Sequence, residues 1–154
     1  MNKDLPHLAI GLLALVFGGA AEELLPKIAG VGFPFLLMAS IYMAAKRAPW
    51  PMFLFAAAAG ALEDGLSSLP FAASIAFFSL VAAFLYWTDL VRCTFAFAFP
   101  AYQLWLRMWT GGLDGGVFAR LLLSIPVGAA TAAATWQILQ WLDRKGAVDE
   151  HGAR

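Results

Sequence analysis

The segment that decides the fold is residues 51–68, which read PMFLFAAAAGALEDGLSS. Its uninterrupted apolar part runs only from Met52 to Leu62, well short of the roughly 20 residues that a helix needs to cross the hydrocarbon core of a membrane. A spanning helix at this point must therefore continue through Glu63 and Asp64. We predict a span over 51–68, which places the two carboxylates about 6–8 Å inside the end of the helix.

Five further apolar segments surround this one and set the class of the protein. The chain of 154 residues is 62% hydrophobic and 13% charged, whereas soluble domains are about 45–50% apolar and about 25% charged. We therefore predict an all-α integral membrane protein, with one domain over 1–154 that forms a bundle of six transmembrane helices. The predicted spans are 8–21, 28–45, 51–68, 69–87, 93–109 and 117–142.

Two local signals place boundaries and bends in these spans. Ser68 belongs to the residue types that cap helix amino termini and Pro70 suits a first turn, so we expect the fourth span to begin there. Pro100 predicts a kink within the fifth span, because proline interrupts the helical hydrogen bonds.

Basic residues indicate the orientation, because short cytoplasmic loops carry more Lys and Arg than outer loops. With the amino terminus inside, seven of the ten basic residues lie on the cytoplasmic side and three on the outer side. We therefore expect both termini in the cytoplasm. The cytoplasmic set is Lys3, Lys46, Arg47, Arg92, Arg144, Lys145 and Arg154, and the outer set is Lys27, Arg107 and Arg120.

Acidic residues toward the outer side are the candidate functional groups. An ionisable side chain at membrane depth costs about 2.5–3.5 kcal/mol and usually faces the bundle interior or a wet cavity. Glu22 and Glu23 form either a solvated helix end or part of such a site. Glu63 and Asp64 serve either as structural hydrogen-bonding or ion-pairing groups or as a binding site. Since adjacent helical positions point about 100° apart, we expect one of these two to face the bundle.

Asp64 has several available partners. The hydroxyl groups of Ser67 and Ser68, or the free backbone N–H groups that open the fourth helix, can donate hydrogen bonds to its carboxylate. Arg107 or Arg120 can supply a positive charge from the fifth or sixth helix. Anchoring of this kind would fix the turn between the third and fourth spans.

Other kinds of chemistry find little support in the residue inventory. His7 and His151 lie at opposite ends of the chain and Cys93 is the only cysteine, so neither a Ser/His dyad at membrane depth nor a zinc site is expected. The formal net charge is zero, which gives no reason to expect a nucleic-acid partner. We therefore predict a protein that is not an enzyme and has no cofactor or metal.

Small residues and aromatic residues predict how the helices pack. Pairs of small residues four positions apart let helix backbones approach closely. These pairs are Ala56 with Gly60, Ala72 with Ala76, and Gly128 with Ala132. Three phenylalanines of the fifth span are expected to face lipid, namely Phe95, Phe97 and Phe99.

Residues 60–71, which read GALEDGLSSLPF, resemble a segment of the MreD family. MreD proteins are small polytopic membrane proteins of the bacterial rod-shape (elongasome) system, and this segment of theirs follows the pattern G-x-x-x-D-x-x-S-G-x-x-x-G. Gly60, Asp64 and Ser67 match that motif, whereas Ser68 and Ala72 stand where the family has its two later glycines. The resemblance extends over roughly residues 24–88 and includes the Phe-Pro at 33–34 and the Ala-Pro-Trp-Pro turn at 48–51.

The resemblance implies a fold similar to the substrate-binding S-components of energy-coupling-factor transporters. It also implies a non-enzymatic scaffold of cell-shape control and peptidoglycan elongation, in the bacterial cytoplasmic (inner) membrane. The implied partner is an MreC-like single-span membrane protein, and through it MreB-like filaments and the cell-wall glycosyltransferase/transpeptidase pair.

An S-component proper, which binds a vitamin or a metal inside the bundle, is the alternative because the two classes share a fold. A vitamin site requires several convergent polar groups. This chain offers few amides, namely Asn2, Gln103, Gln137 and Gln140, and the shortage favours the scaffold.

Overall fold

A computed structural model describes residues 5–27, 31–46, 49–67, 72–88, 90–110 and 116–152. Those residues form six helices, as the all-α prediction requires. The helices are α1 (Leu5–Leu24), α2 (Phe35–Lys46), α3 (Pro49–Leu66), α4 (Ala73–Thr88), α5 (Val91–Thr110) and α6 (Val117–Gly152). Six residues used in the sequence predictions lie outside the described ranges, namely Lys3, Arg47, Ser68, Pro70, Phe71 and Arg154.

Three helices differ from the predicted spans at one end. α2 begins at Phe35 instead of residue 28, because Gly32 and Pro34 do not favour a regular helix start. α4 begins at Ala73 rather than at residue 69. α6 continues past residue 142 to Gly152, because the segment beyond the apolar stretch is rich in good helix formers.

α2 is the central helix and contacts each of the other five. Its residues from Leu36 to Ala44 are all buried, and Tyr42 is 0% exposed. The ring of Tyr42 packs edge-to-face on Trp136 of α6, with the ring centroids 5.0 Å apart. The other helices surround α2, which explains why its sequence is almost uniformly apolar rather than amphipathic.

Glycines lie at the two closest crossings between helices. A Cβ atom on Gly60 of α3 would lie 2.5 Å from the Cα of Ile75 in α4, so that position has no room for a side chain. A Cβ atom on Gly128 of α6 would lie 3.0 Å from the Cβ of Phe99 in α5. Ala72, in contrast, precedes α4 and is not part of a helical pair.

The prediction that the phenylalanines of the fifth span face lipid is wrong for Phe99. Phe99 is 2% exposed and belongs to the core, because its face of α5 packs against α6. Phe95 is half-buried and lies edge-to-face on Trp136 at a centroid distance of 5.4 Å. Phe97, on the opposite face, is 68% exposed.

The outer surface of the bundle carries many large apolar side chains. Those more than half exposed include Phe17, Leu54, Trp87, Met108 and Phe118, whereas a soluble monomer rarely exposes contiguous apolar patches of more than a few hundred Å². Among the helices in the described ranges, one stretch, Val117–Leu142 of α6, is long and apolar enough by length and composition to cross a membrane. Phe35–Ala45 and Ala73–Thr88 are shorter apolar helices.

Candidate functional site

Polar side chains from four helices meet at one end of the bundle. We call this set the acidic junction, and its members are Glu22 of α1, Glu63 and Asp64 of α3, Ser74 of α4 and Tyr102 of α5. Ser74 and Tyr102 are almost completely buried, whereas the three acids are partly buried. The acids predicted from the sequence therefore lie together, with two partners that the sequence analysis did not identify.

Asp64 caps the amino terminus of α4. Its Oδ1 accepts a hydrogen bond of 2.9 Å from the backbone N–H of Ser74, and its Oδ2 accepts a longer one of 3.5 Å from the N–H of Ile75. These N–H groups have no partner within their own helix, and the positive end of the helix dipole favours a carboxylate there. Of the alternatives for Asp64, the structure shows the backbone N–H groups that open the fourth helix.

Glu22 has the same role at the amino terminus of α2. Its Oε1 accepts a hydrogen bond of 2.8 Å from the backbone N–H of Leu36, the second residue of that helix. Glu22 is therefore part of the folded interior and not a solvated helix end. Glu23, the next residue, is exposed, so the two adjacent acids differ in environment.

Tyr102 connects the two hairpins through its hydroxyl group. That oxygen lies 2.6 Å from the hydroxyl of Ser74 and donates a longer hydrogen bond of 3.4 Å to Glu63. One turn further along α5, the indole N–H of Trp105 donates to the backbone carbonyl of Ala73, at 2.8 Å. Hydrogen bonds from an aromatic pair on α5 therefore hold the start of α4.

Glu63 faces Tyr102 and Glu22, although one of the pair Glu63 and Asp64 was expected to point away from the bundle. Both face inward because the side chains reach different partners from adjacent positions of α3: Asp64 reaches α4, while Glu63 reaches α5 and the end of α1. The rule that the two cannot share one partner holds, but it does not require either side chain to face lipid.

Glu22 and Glu63 form a hydrogen-bonded carboxyl pair. Glu22 lies one residue beyond the predicted span 8–21, and burial raises its pKa well above the usual range of a glutamate. The hydrogen bond and the adjacent charge of Glu63 raise the pKa further. Glu22 therefore carries a proton at neutral pH, and that proton bridges the two carboxyl groups.

The remaining candidates from the sequence lie outside this network. The Ser67 hydroxyl donates to the backbone carbonyl of Glu63, one turn earlier in its own helix, and not to Asp64. Arg107 and Arg120 are half-buried, and neither forms an ion pair with Asp64 in the described part of the chain. The link to the fifth helix is made instead by neutral hydrogen-bond donors on α5.

A cavity of about 240 Å³ adjoins the acidic junction. Its polar lining includes Glu22, Glu63, Tyr102 and Gln103, and its apolar wall includes Phe99. This volume is below the roughly 300–1,000 Å³ of pockets that hold drug-sized ligands. In the ranges that the structure describes, no group of three acidic, His or Cys side chains is arranged to hold a metal ion.

Sequence reasoning missed Tyr102 and Trp105, and one signal could have found them. Both carry a polar tip in an apolar span, and a buried tyrosine hydroxyl or indole N–H usually has a hydrogen-bond partner. Since the chain has 13 Phe, 6 Trp and 3 Tyr, the tyrosines are the rarest and most informative of its aromatic residues. Comparisons with models of protein families, with curated proteins and with solved structures gave no match to this chain.

Proposed function

We propose that this protein is a non-enzymatic membrane scaffold of the MreD type. In this proposal it is a multi-pass protein of the bacterial inner membrane that binds an MreC-like single-span protein. Through that partner it acts on MreB-like filaments and on the glycosyltransferase/transpeptidase pair that extends the cell wall.

The observation that carries the proposal is that three motif positions each have a geometric reason. Gly60 has no room for a Cβ atom against α4, and Asp64 caps α4. Ala72, where the family motif has its last glycine, has a φ of 70°, a conformation that glycine adopts without strain and alanine rarely adopts. The glycine–aspartate–glycine pattern therefore matches the geometry of a tight α3–α4 junction, which supports the family resemblance.

A scaffold also fits the way in which the polar groups are used. The carboxylates of Glu22 and Asp64 accept hydrogen bonds from the chain's own backbone, and Tyr102 and Ser74 bond to each other. Groups with internal partners hold helices together and are not free to bind a substrate. The exposed apolar side chains around the bundle favour a lipid environment for all six helices.

Affinity purification of the tagged protein in mild detergent tests this proposal. We expect an MreC-like single-span protein, co-expressed from the same genome, to elute in stoichiometric amounts. The matched control is Gly60→Leu, which forces α3 and α4 apart and should lose the partner. Elution of an ATPase pair without the single-span protein would contradict the proposal.

The cavity beside the acidic junction favours one second candidate, the S-component of a transporter. In that case a small polar ligand would occupy the 240 Å³ next to Glu63 and Gln103. Gln103→Leu alters the cavity wall without removing a described hydrogen bond. It should abolish ligand uptake by an S-component, whereas it should leave the partner binding of a scaffold unchanged.

A further inference from the structure

A second recess lies on the outside of the bundle, at a distance in sequence from the acidic junction. We call it the α1–α6 groove, and it has a volume of about 370 Å³. Its walls come from α1, α2 and α6. The lining residues are Ala14, Phe17, Gly18, Ala21, Phe35, Ala39, Thr135, Ile138 and Leu139.

Small residues on one face of α1 create the groove. Ala14, Gly18 and Ala21 are separated by four and three positions, so they lie on the same side of the helix. Phe17 and Ile138 are 68% and 55% exposed and flank this recess. A recess of small residues between bulky ones lets another helix approach closely.

Thr135 gives an independent indication that the groove has an occupant. The residue is 6% exposed and lines the groove, yet its hydroxyl has no hydrogen-bond partner within the described structure. Thr131, one turn earlier, donates to the carbonyl of Val127 at 2.7 Å, the usual solution for threonine in a helix. A buried hydroxyl without a partner is costly, and an incoming oxygen atom would remove that cost.

The chemistry of the groove distinguishes between possible occupants. Lipid tails would fill the apolar recess, but they have no oxygen atom at this depth with which to satisfy Thr135. A transmembrane helix supplies both an apolar ridge and a hydroxyl, amide or carbonyl oxygen. Hydrogen bonds of this kind across helices, next to small residues, are the usual means by which helices associate in membranes.

We propose that the α1–α6 groove is the docking site for the transmembrane helix of the single-span partner, which places an oxygen atom against the Thr135 hydroxyl. This inference rests on the proposed function and adds the contact face. Docking at this face leaves the acidic junction and the exposed surface of α4 and α5 free of the partner.

The first test compares two valine substitutions on α6, with the purified full-length MreC-like protein as the probe. Thr135→Val should weaken its binding about three- to fifteen-fold, the range expected for one hydrogen bond between helices. The same change should leave the melting temperature of the isolated protein equal or higher, because it removes an unsatisfied hydroxyl. Thr131→Val should lower the melting temperature and leave binding unchanged. Wild-type affinity of Thr135→Val would overturn the assignment of the face.

Disulfide crosslinking gives a second test that does not depend on affinity. In a Cys93→Ser background, Phe17→Cys and Ile138→Cys should each crosslink to cysteines placed along the partner's helix. Leu80→Cys, exposed on α4, should not.

Crosslinks from Leu80→Cys alone, with the partner still co-purifying, would overturn the docking site and leave the scaffold proposal intact. Failure of the wild-type protein to bind the partner at all would overturn both. Self-crosslinking of Phe17→Cys in place of crosslinking to the partner would assign the groove to a second copy of this chain and overturn the proposal.

Discussion

Asp64 provides the most direct test of the α3–α4 junction. Asp64→Asn keeps an oxygen that can accept the 2.9 Å hydrogen bond from Ser74 and loses only the negative charge at the helix terminus, worth about 0.3–1 kcal/mol. Asp64→Leu removes the cap, worth about 0.5–2 kcal/mol, and leaves a donor unsatisfied at about 1–3 kcal/mol. We therefore expect the free energy of unfolding to fall by less than about 1 kcal/mol for Asn and by about 2–3 kcal/mol for Leu.

Thermal unfolding in one detergent, followed by tryptophan fluorescence, measures this difference. At roughly 2–4 °C per kcal/mol for a chain of this size, the melting temperature should fall by about 1–4 °C for Asp64→Asn and by about 4–12 °C for Asp64→Leu. Glu23→Leu is the control, because Glu23 is exposed at the same end of the bundle, and it should have little effect. Equal losses for Asn and Leu would show that charge, not the hydrogen bond, holds the junction. No loss for Leu would refute the capping role.

Further substitutions test other parts of the structure. Gly60→Ala should destabilise the protein by about 1–3 kcal/mol because its Cβ would overlap the backbone of α4, while Ala58→Leu on the exposed side of α3 should unfold at the wild-type temperature; similar melting curves for both would contradict the close approach. Tyr102→Phe removes the 2.6 Å hydrogen bond to α4 and should lower stability by about 0.5–1.5 kcal/mol in the same assay; an unchanged melting temperature would show that the bond contributes nothing. Because the pKa of Glu22 is raised in the folded state, that state binds more protons than the unfolded chain, so stability should fall as pH rises above about 4.5; melting temperatures between pH 5 and 9 should decrease in the wild type and stay flatter in Glu22→Gln, and parallel slopes would argue against the bridging proton. Cys93, which is exposed, should resist a membrane-impermeant maleimide in intact cells if it faces the cytoplasm, and efficient labelling would reverse the proposed orientation.

The sequence predicted the helical class and the position of the acids better than it predicted their partners. The short apolar stretch from Met52 to Leu62 required α3 to continue through Glu63 and Asp64, and the structure confirms that continuation. Capping of α4 by Asp64 was also among the predicted alternatives, because the two are close in sequence. Local spacing is sufficient for arguments of this kind.

Contacts between distant segments could not be inferred in the same way. The bond from Glu22 to Leu36 depends on how α1 packs against α2, and the bond from Tyr102 to Ser74 depends on the placement of α5. The interior position of Phe99 has the same origin, since alternating phenylalanines do not reveal which side faces α6. Hydropathy identifies apolar faces, but the choice between lipid and core depends on tertiary packing.

The capping pattern has a consequence for how the chain enters a bilayer. Each of the first two helical hairpins is closed by an acid on its first helix and an N–H group on its second, through Glu22 and Leu36 in one and Asp64 and Ser74 in the other. Each hairpin therefore satisfies its own costly polar groups before any later helix is synthesised. We expect α1–α2 and α3–α4 to integrate as successive pairs during translation, with α5 and α6 closing the bundle afterwards.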